Sequence, residues 1–266
     1  MSEGTDNALL ERFEQEIWSK VPHLEEGSET KVVNATPLVD MTADFKECAK
    51  SVFKLDLDNA DLKVFGKMDS TLLTGSIKVR PAANIIHDAI VTGKLKSGQT
   101  VIEATSGNFG IALGLLSKLE LNVIALVSRK LQEGVFEELR NVNIRTMDLD
   151  MDICPAPGME GKQDLLVAKA SAANIRSQLS NFGFDTDIFD KAGSEIESLL
   201  ASQDIINLAK FLAKIYGFFC PAQYDNQLNI EAHRTVTAAE IDQQLHEKGD
   251  SLEGYNIFCT FGTGGT

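Results

Sequence analysis

The sequence predicts an α/β fold in which a parallel sheet is covered by helices. Two observations carry that expectation. Short β-like apolar runs alternate with stretches of helical periodicity through the middle of the chain, and 266 residues at 43% hydrophobic content suffice for a sizeable buried core. A chain of this length forms one large domain or two modest ones, and its apolar content argues against disorder as the main state.

Taken in order, the elements begin with Leu9, Leu10, Phe13, Ile17 and Trp18, which recur at helical spacing inside an acidic opening segment. They predict a short amphipathic helix packed on the body of the protein or on a second subunit. Residues 62–65 then read as a strand, 82–92 as a helix, 100–103 as a strand, 109–119 as a helix and 123–127 as a strand. A second cycle follows, with a helix over 131–141 leading into a strand over 144–149. CPAPG at 154–158 breaks regular structure and marks the edge of the first sheet. Residues 163–216 are largely helix-forming, interrupted by NFGFDTD around Gly183, and read as helical cover or an insertion. The chain closes with a β-like run at 255–261 and then GTGGT at 262–266. Because a strand and glycine loop normally lead into a helix, the sequence reads as truncated at that point.

The formal charge of −14 disfavours nucleic acid and anionic membrane surfaces as partners, since the summed field repels them. A small anionic ligand then needs a local pocket of amides or cations. Cys48, Cys154, Cys220 and Cys259 form no CxxC pair, and His23, His87, His233 and His246 form no HExxH or other ligand spacing. No metal site is expected, and the thiols read as reduced. The acidic opening lacks the basic start and apolar core of a signal peptide, and no stretch reaches the roughly 18 apolar residues of a membrane span. A soluble cytoplasmic protein with no membrane partner is expected.

Three constellations carry chemistry. TGSIKVR at 74–80 places Lys78 after a small-residue turn at the start of a helix. Such a lysine forms a Schiff base if its surroundings lower its pKa, although read alone the motif favours an ordinary solvated lysine. EATSGNFGIALG at 103–114 ends a strand in polar and glycine residues that open a helix, where backbone amides favour a carboxylate or phosphate. Alone it is also a turn capped by Ser106. In the terminal GTGGT, glycines let the backbone form a nest of N–H donors for phosphate oxygens, though a flexible glycine linker has the same composition.

These three motifs occur in the order found in the cysteine synthase/cystathionine β-synthase family of fold-type II pyridoxal 5'-phosphate (PLP) enzymes, which the chain resembles. Further matches fill the gaps. NATPLVDM at 34–41 resembles the family's NTPL motif, and NADLKVFGKMD at 59–69 resembles the strand leading to the lysine. AQYDNQLNIEAHRTVTAAEI at 222–241 is similar to QFxNPANPxxHxxTTGPEI.

The resemblance implies a tryptophan synthase β-like α/β fold of two domains with mainly parallel sheets. Residues 31–70 and 215–266 would then form the larger PLP-binding domain and 71–155 the smaller one. Residues 1–30 would be a helical extension and 156–214 a helical connection or insertion. It also implies roles. Lys78 would be the Schiff-base lysine and Asn108 the partner of the cofactor's ring oxygen, with Gly262, Thr263, Gly264, Gly265 and Thr266 on its phosphate. Thr105, Ser106, Gly107, Asn108 and Phe109 would form the substrate loop, and Gln223 would assist with the carboxylate.

There are departures from the family pattern. Val79 replaces a common aspartate, Pro81 follows Arg80, and Phe109 stands where threonine is common. Family prolines and a glycine are replaced by Gln227, Ile230 and Ala239. Phe109 resembles archaeal O-phosphoserine sulfhydrylases, which implies a leaving group other than acetate. The implied activity is PLP-dependent β-replacement on O-acetylserine or O-phosphoserine by sulfide or a thiol, in a homodimer. A serine/threonine dehydratase, another β-elimination lyase and a non-catalytic scaffold of the same fold are the alternatives.

Overall fold

A computed structural model of the chain describes residues 4–105, 107–128, 132–149, 165–260 and 262–266. The first helix, α1 (Asn7–Glu16), is capped by Asp6, whose Oδ1 accepts the Leu9 amide at 3.1 Å. Leu9, Phe13 and Ile17 are buried in the main core, so the periodic residues of the opening segment face the body of the protein. A two-residue antiparallel ladder follows, β1 (His23–Leu24) on β2 (Val32–Val33). β3 (Leu38–Asp40) then leads through α2 (Thr42–Phe53) to β4 (Phe65–Lys67), which pairs antiparallel with β3.

The alternating middle of the chain is built as its periodicity predicts. α3 (Val79–Val91), β5 (Thr100–Ala104), α4 (Asn108–Leu113), β6 (Asn122–Ser128), α5 (Glu133–Asn141) and β7 (Arg145–Leu149) follow in turn. β5, β6 and β7 form a parallel sheet in that spatial order. Phe219 adds a parallel bridge on the other side of β5, through Ile102 N to Phe219 O and Phe219 N to Thr100 O, each at 2.9 Å. β5 is thus paired on both edges.

Side-chain alternation along β5 and β6 sorts apolar groups between two cores, one on each face. Val101, Val123, Ala125 and Val127 point to the face covered by α1, α3 and α4. Ile102, Ala104, Ile124 and Leu126 point to the opposite face. That second face is covered by α6 (Leu165–Asn181), α7 (Thr186–Lys191), α8 (Gly193–Ala201) and α9 (Ile205–Tyr216), through Ile175, Leu179, Ile196, Leu200, Leu208 and Leu212 among others. Gly183, with φ +87°, makes the turn after α6 that NFGFDTD signals. Beyond the sheet come α10 (Gln227–Glu231), a π-helical turn at Ala232–Thr237 and α11 (Ala238–Glu247). Among the described residues no helix is long and apolar enough to cross a membrane.

Three expectations are corrected. The run at 62–65 contributes only Phe65 to a strand, and that strand lies on β3 outside the parallel sheet. Its neighbours Asp61 and Lys63 are exposed, so the run has no continuous apolar surface to bury between helices. The helix expected over 109–119 is α-helical only to Leu113 and tightens to a 3-10 helix from Gly114 to Leu119. Residues 255–260 form no strand. Ile257 and Phe258 are 65% and 92% exposed, and β propensity without a paired neighbour leaves the backbone groups to solvent. CPAPG and Leu131 lie outside the described residues.

Candidate active site

Lys78 occupies the position just before α3. Gly75, with φ +67°, closes the preceding turn by donating its amide to Leu72 O at 2.8 Å. Val79, where aspartate was the expected neighbour, is fully buried in the first core. Pro81 sits in the first turn of α3, where its missing N–H leaves no helical bond unmade. The departures beside the lysine therefore anchor the helix start, while Lys78 itself stays half-buried. Burial holds its ammonium below the usual lysine range, which favours the neutral amine.

The Lys78 Nζ donates to Thr263 Oγ1 at 3.2 Å. Lys78 and Ile77 face Cys259, Thr260, Gly262, Thr263, Gly264 and Thr266 across a cavity of about 120 Å³. The lysine and the glycine-rich end of the chain, 185 residues apart, thus share one space. Gly264 has φ +74°, and Gly265 packs so closely on Asn229 that a Cβ there would lie 2.4 Å from the Asn229 Oδ1. Asn229 is buried and its Nδ2 donates both to Thr263 Oγ1 and to Gln223 O, each at 2.9 Å.

The segment after β5 is held from within. Buried Thr105 accepts the amides of Gly107 and Gly110 on its Oγ1, at 3.3 and 3.1 Å, which ties the turn to the start of α4. Gly107 has φ +140°, a conformation that side chains rarely adopt. Gln223 is buried beside the end of β5, its Nε2 donating to Ala104 O at 3.2 Å.

Behind Lys78 lies a buried ionic cluster. Arg80 donates to Glu240 Oε2 at 2.5 Å and to Asp69 Oδ1 at 2.7 Å, while Lys67 donates to Glu240 Oε1 at 2.7 Å. Thr36 joins it through its amide and hydroxyl. His233 lies within the field of this cluster and is pushed down to about 4, by burial first and then by the Arg80 and Lys78 cations, so it is neutral at pH 7.

The profile of the family described as "Pyridoxal-phosphate dependent enzyme" matches residues 36–266. The chain belongs to that family. Its α/β fold is accordingly a fold-type II PLP fold, and the family's cofactor is PLP. The chain is 26% identical over 238 residues to cysteine synthase of Staphylococcus aureus, covering 89% of this chain and 56% of that protein. It is 28% identical over 214 residues to a Bacillus subtilis protein named "Probable cysteine synthase", covering 80% of this chain and 53% of the relative. Among solved structures it is similar to O-ureido-L-serine synthase, with TM-score 0.47 and 26% identity over 71% of this chain and 45% of that one. The chain spans about half the length of the curated relatives it matches.

The residues present fit a bound PLP group. Among the described residues, two buried polar atoms near the lysine, Asn229 Oδ1 and His233 Nε2, lack a hydrogen-bond partner. The nest of 262–266 supplies amides and threonine hydroxyls for a phosphate.

The expected site residues are not all brought to the lysine. Gly262, Thr263, Gly264 and Thr266 line its cavity, and Gly265 backs onto Asn229. Gln223 reaches it through Asn229, and Thr105 holds the neighbouring turn. Asn108 is exposed at the first position of α4 and is not among the residues lining the cavity. Phe109 is 3% exposed in the first core, so its side chain faces away from the substrate loop in which it was expected. Ser106 lies outside the described residues. Asn229 and His233 were not singled out by motif, although both stand in the 222–241 stretch. The available signal was an amide and an imidazole retained at family positions where neighbouring prolines had been replaced.

Proposed function

We propose that the chain belongs to an enzyme that catalyses β-replacement on an activated serine, O-acetylserine or O-phosphoserine, with sulfide or a thiol as nucleophile. The contact of the Lys78 amine with Thr263, inside the cavity walled by the glycine nest, is the observation that supports this most. The two relatives are named cysteine synthase and probable cysteine synthase, which supports the same reaction class.

When bound, the cofactor supplies an electron sink for charge developing at the substrate Cα. Lys78 holds the cofactor and, once free, takes the Cα proton, for which its lowered pKa suits it. The turn at Thr105, Ser106, Gly107 and Asn108 holds the substrate carboxylate, and Gln223 supports that turn from Ala104 O. Thr263 and Thr266 orient the phosphate, with Asn229 fixing the Thr263 hydroxyl. The reading includes a cytoplasmic homodimer and the division into a larger PLP-binding part, a smaller α/β part and a helical connection.

The test supplies PLP and sulfide and compares O-acetylserine, O-phosphoserine, serine and cysteine as substrates, assaying both cysteine and keto acid. Cysteine formed from one of the two activated serines is the expected result. Keto acid from serine alone assigns a dehydratase, and no turnover with any substrate overturns the β-replacement reading.

A further inference from the structure

Glu103, the fourth residue of β5, is 1% exposed, and the site as described gives it no task. The Gln223 amide donates to its Oε2 at 3.3 Å, and the backbone of Ala222 and Ala104 lies near enough to favour its ionised form. The Gln223 amide thus meets a buried side chain 120 residues away. Ala222 holds φ +52°, a left-handed conformation that costs a residue bearing a Cβ on the order of 1 kcal/mol. A turn of that kind persists where its surroundings hold it, and the carboxyl is the group in position to do so.

The same turn leads into the site. Gln223 Nε2 bonds Ala104 O, and Gln223 O accepts the Asn229 amide. That amide also donates to Thr263 Oγ1, the atom on which the Lys78 Nζ rests. Among the described residues Glu103 has no bond to the lysine or the glycine nest, and it is linked to them through Gln223 and Asn229.

We propose that Glu103 is a positioning residue: its buried carboxyl pins the strained turn at Ala222 and Gln223, and so sets Asn229 against Thr263 in the glycine nest. The inference rests on the reading of that nest as the phosphate loop. It gives the β5 carboxyl a task in building the site without any contact with substrate.

The protonation state fits this arrangement. Burial pushes the Glu103 carboxyl up to about 8, against the pull of the backbone of Gln223, Ala222 and Ala104 and of Lys210 on α9, which is itself paired with Asp225. The Cys220 thiol beside it is pushed up to about 12, by burial and then by Glu103, and stays neutral. A carboxyl whose folded pKa is raised contributes stability that is complete below the unfolded value near 4.5 and is lost as pH rises through about 8. The stability lost over that range belongs to the fold as a whole, because the amides themselves favour the ionised carboxyl; Glu103→Gln retains an oxygen acceptor but cannot ionise.

The experiment compares the wild type, Glu103→Gln and Glu103→Leu by two readouts. One is hydrogen exchange of the Ala222 and Gln223 amides without cofactor, and the other is the dissociation constant for PLP followed by its visible absorbance. Glu103→Leu is expected to lose about tenfold in amide protection and about tenfold in PLP affinity at pH 7, with Glu103→Gln near the wild type on both. Should Glu103→Leu fail to fold, Glu103→Asp, which draws the carboxyl back from the Gln223 amide by one methylene, must lose protection and affinity in the same direction. Unchanged amide protection in Glu103→Leu or, where that variant does not fold, in Glu103→Asp overturns the pin. Lost protection with unaltered PLP affinity overturns its link to the glycine nest. A wild type that binds no PLP sinks the functional reading instead, and the exchange data still decide the pin.

Discussion

Replacing Lys78 with alanine is expected to remove the visible absorbance of bound PLP and to lower turnover by about 10³-fold or more, with the fold intact. The amine is the group that holds the cofactor and moves the proton, so its loss removes both roles at once. Its surroundings explain why stability should change little. Lys78 is half-buried just before α3, and its side-chain bond is to the Thr263 hydroxyl, whereas the core contacts at this point are made by Val79. Parallel urea unfolding of wild type and Lys78→Ala separates the two effects. Retained absorbance and turnover in the variant would show that another lysine carries the cofactor.

The largest stability effect is expected at Glu240, which is fully buried and sits between Arg80 and Lys67. Glu240→Ala leaves Arg80, whose side chain is 1% exposed, with Asp69 as its remaining ionic partner, and leaves Lys67 without a carboxylate. Removing one member of a buried pair typically costs 3–5 kcal/mol, so a loss of about 4 kcal/mol is expected from urea or thermal unfolding. Burial already holds Lys67 below the usual lysine range despite Glu240, and the variant removes the partner that opposes this. The damage should reach the site as well, because the cluster ties α11 and the Thr36 segment to the first turn of α3, two residues from Lys78. A loss below about 1 kcal/mol would mean that water or a shifted side chain satisfies Arg80 and Lys67 without Glu240.

The parallel sheet was legible because its strands announce themselves. Thr100–Ala104 and Asn122–Ser128 carry apolar residues on both faces, as strands sandwiched between helices must, and the runs between them have helical periodicity. Periodicity records which face a residue presents, and it carries no record of which distant strand will pair with it. For that reason β4 was placed in the wrong sheet, and residues 255–260 were read as a strand although no described neighbour pairs with them.

The motif residues of the site were legible in the same limited way. Lys78 and the 262–266 loop could be named from local pattern, but their meeting across 185 residues is a property of the fold. Phe109 shows the limit from the other side. It stands in the substrate-loop motif, yet a phenyl ring at the second position of α4 gains more by burial in the first core than by exposure to a polar cavity. Asn229, Glu103 and Glu240 escaped notice because a buried polar residue is written with the same letter as an exposed one. Only its partners distinguish the two.

The account stands on the amine of Lys78 lying within reach of a group held by the 262–266 nest. Incubating the chain with PLP, reducing with borohydride and mapping the modified peptide by mass spectrometry tests this directly. The account predicts a single pyridoxyl group on Lys78, abolished when excess inorganic phosphate competes for the nest. Labelling spread over exposed lysines such as Lys31 and Lys54, insensitive to phosphate, would contradict it.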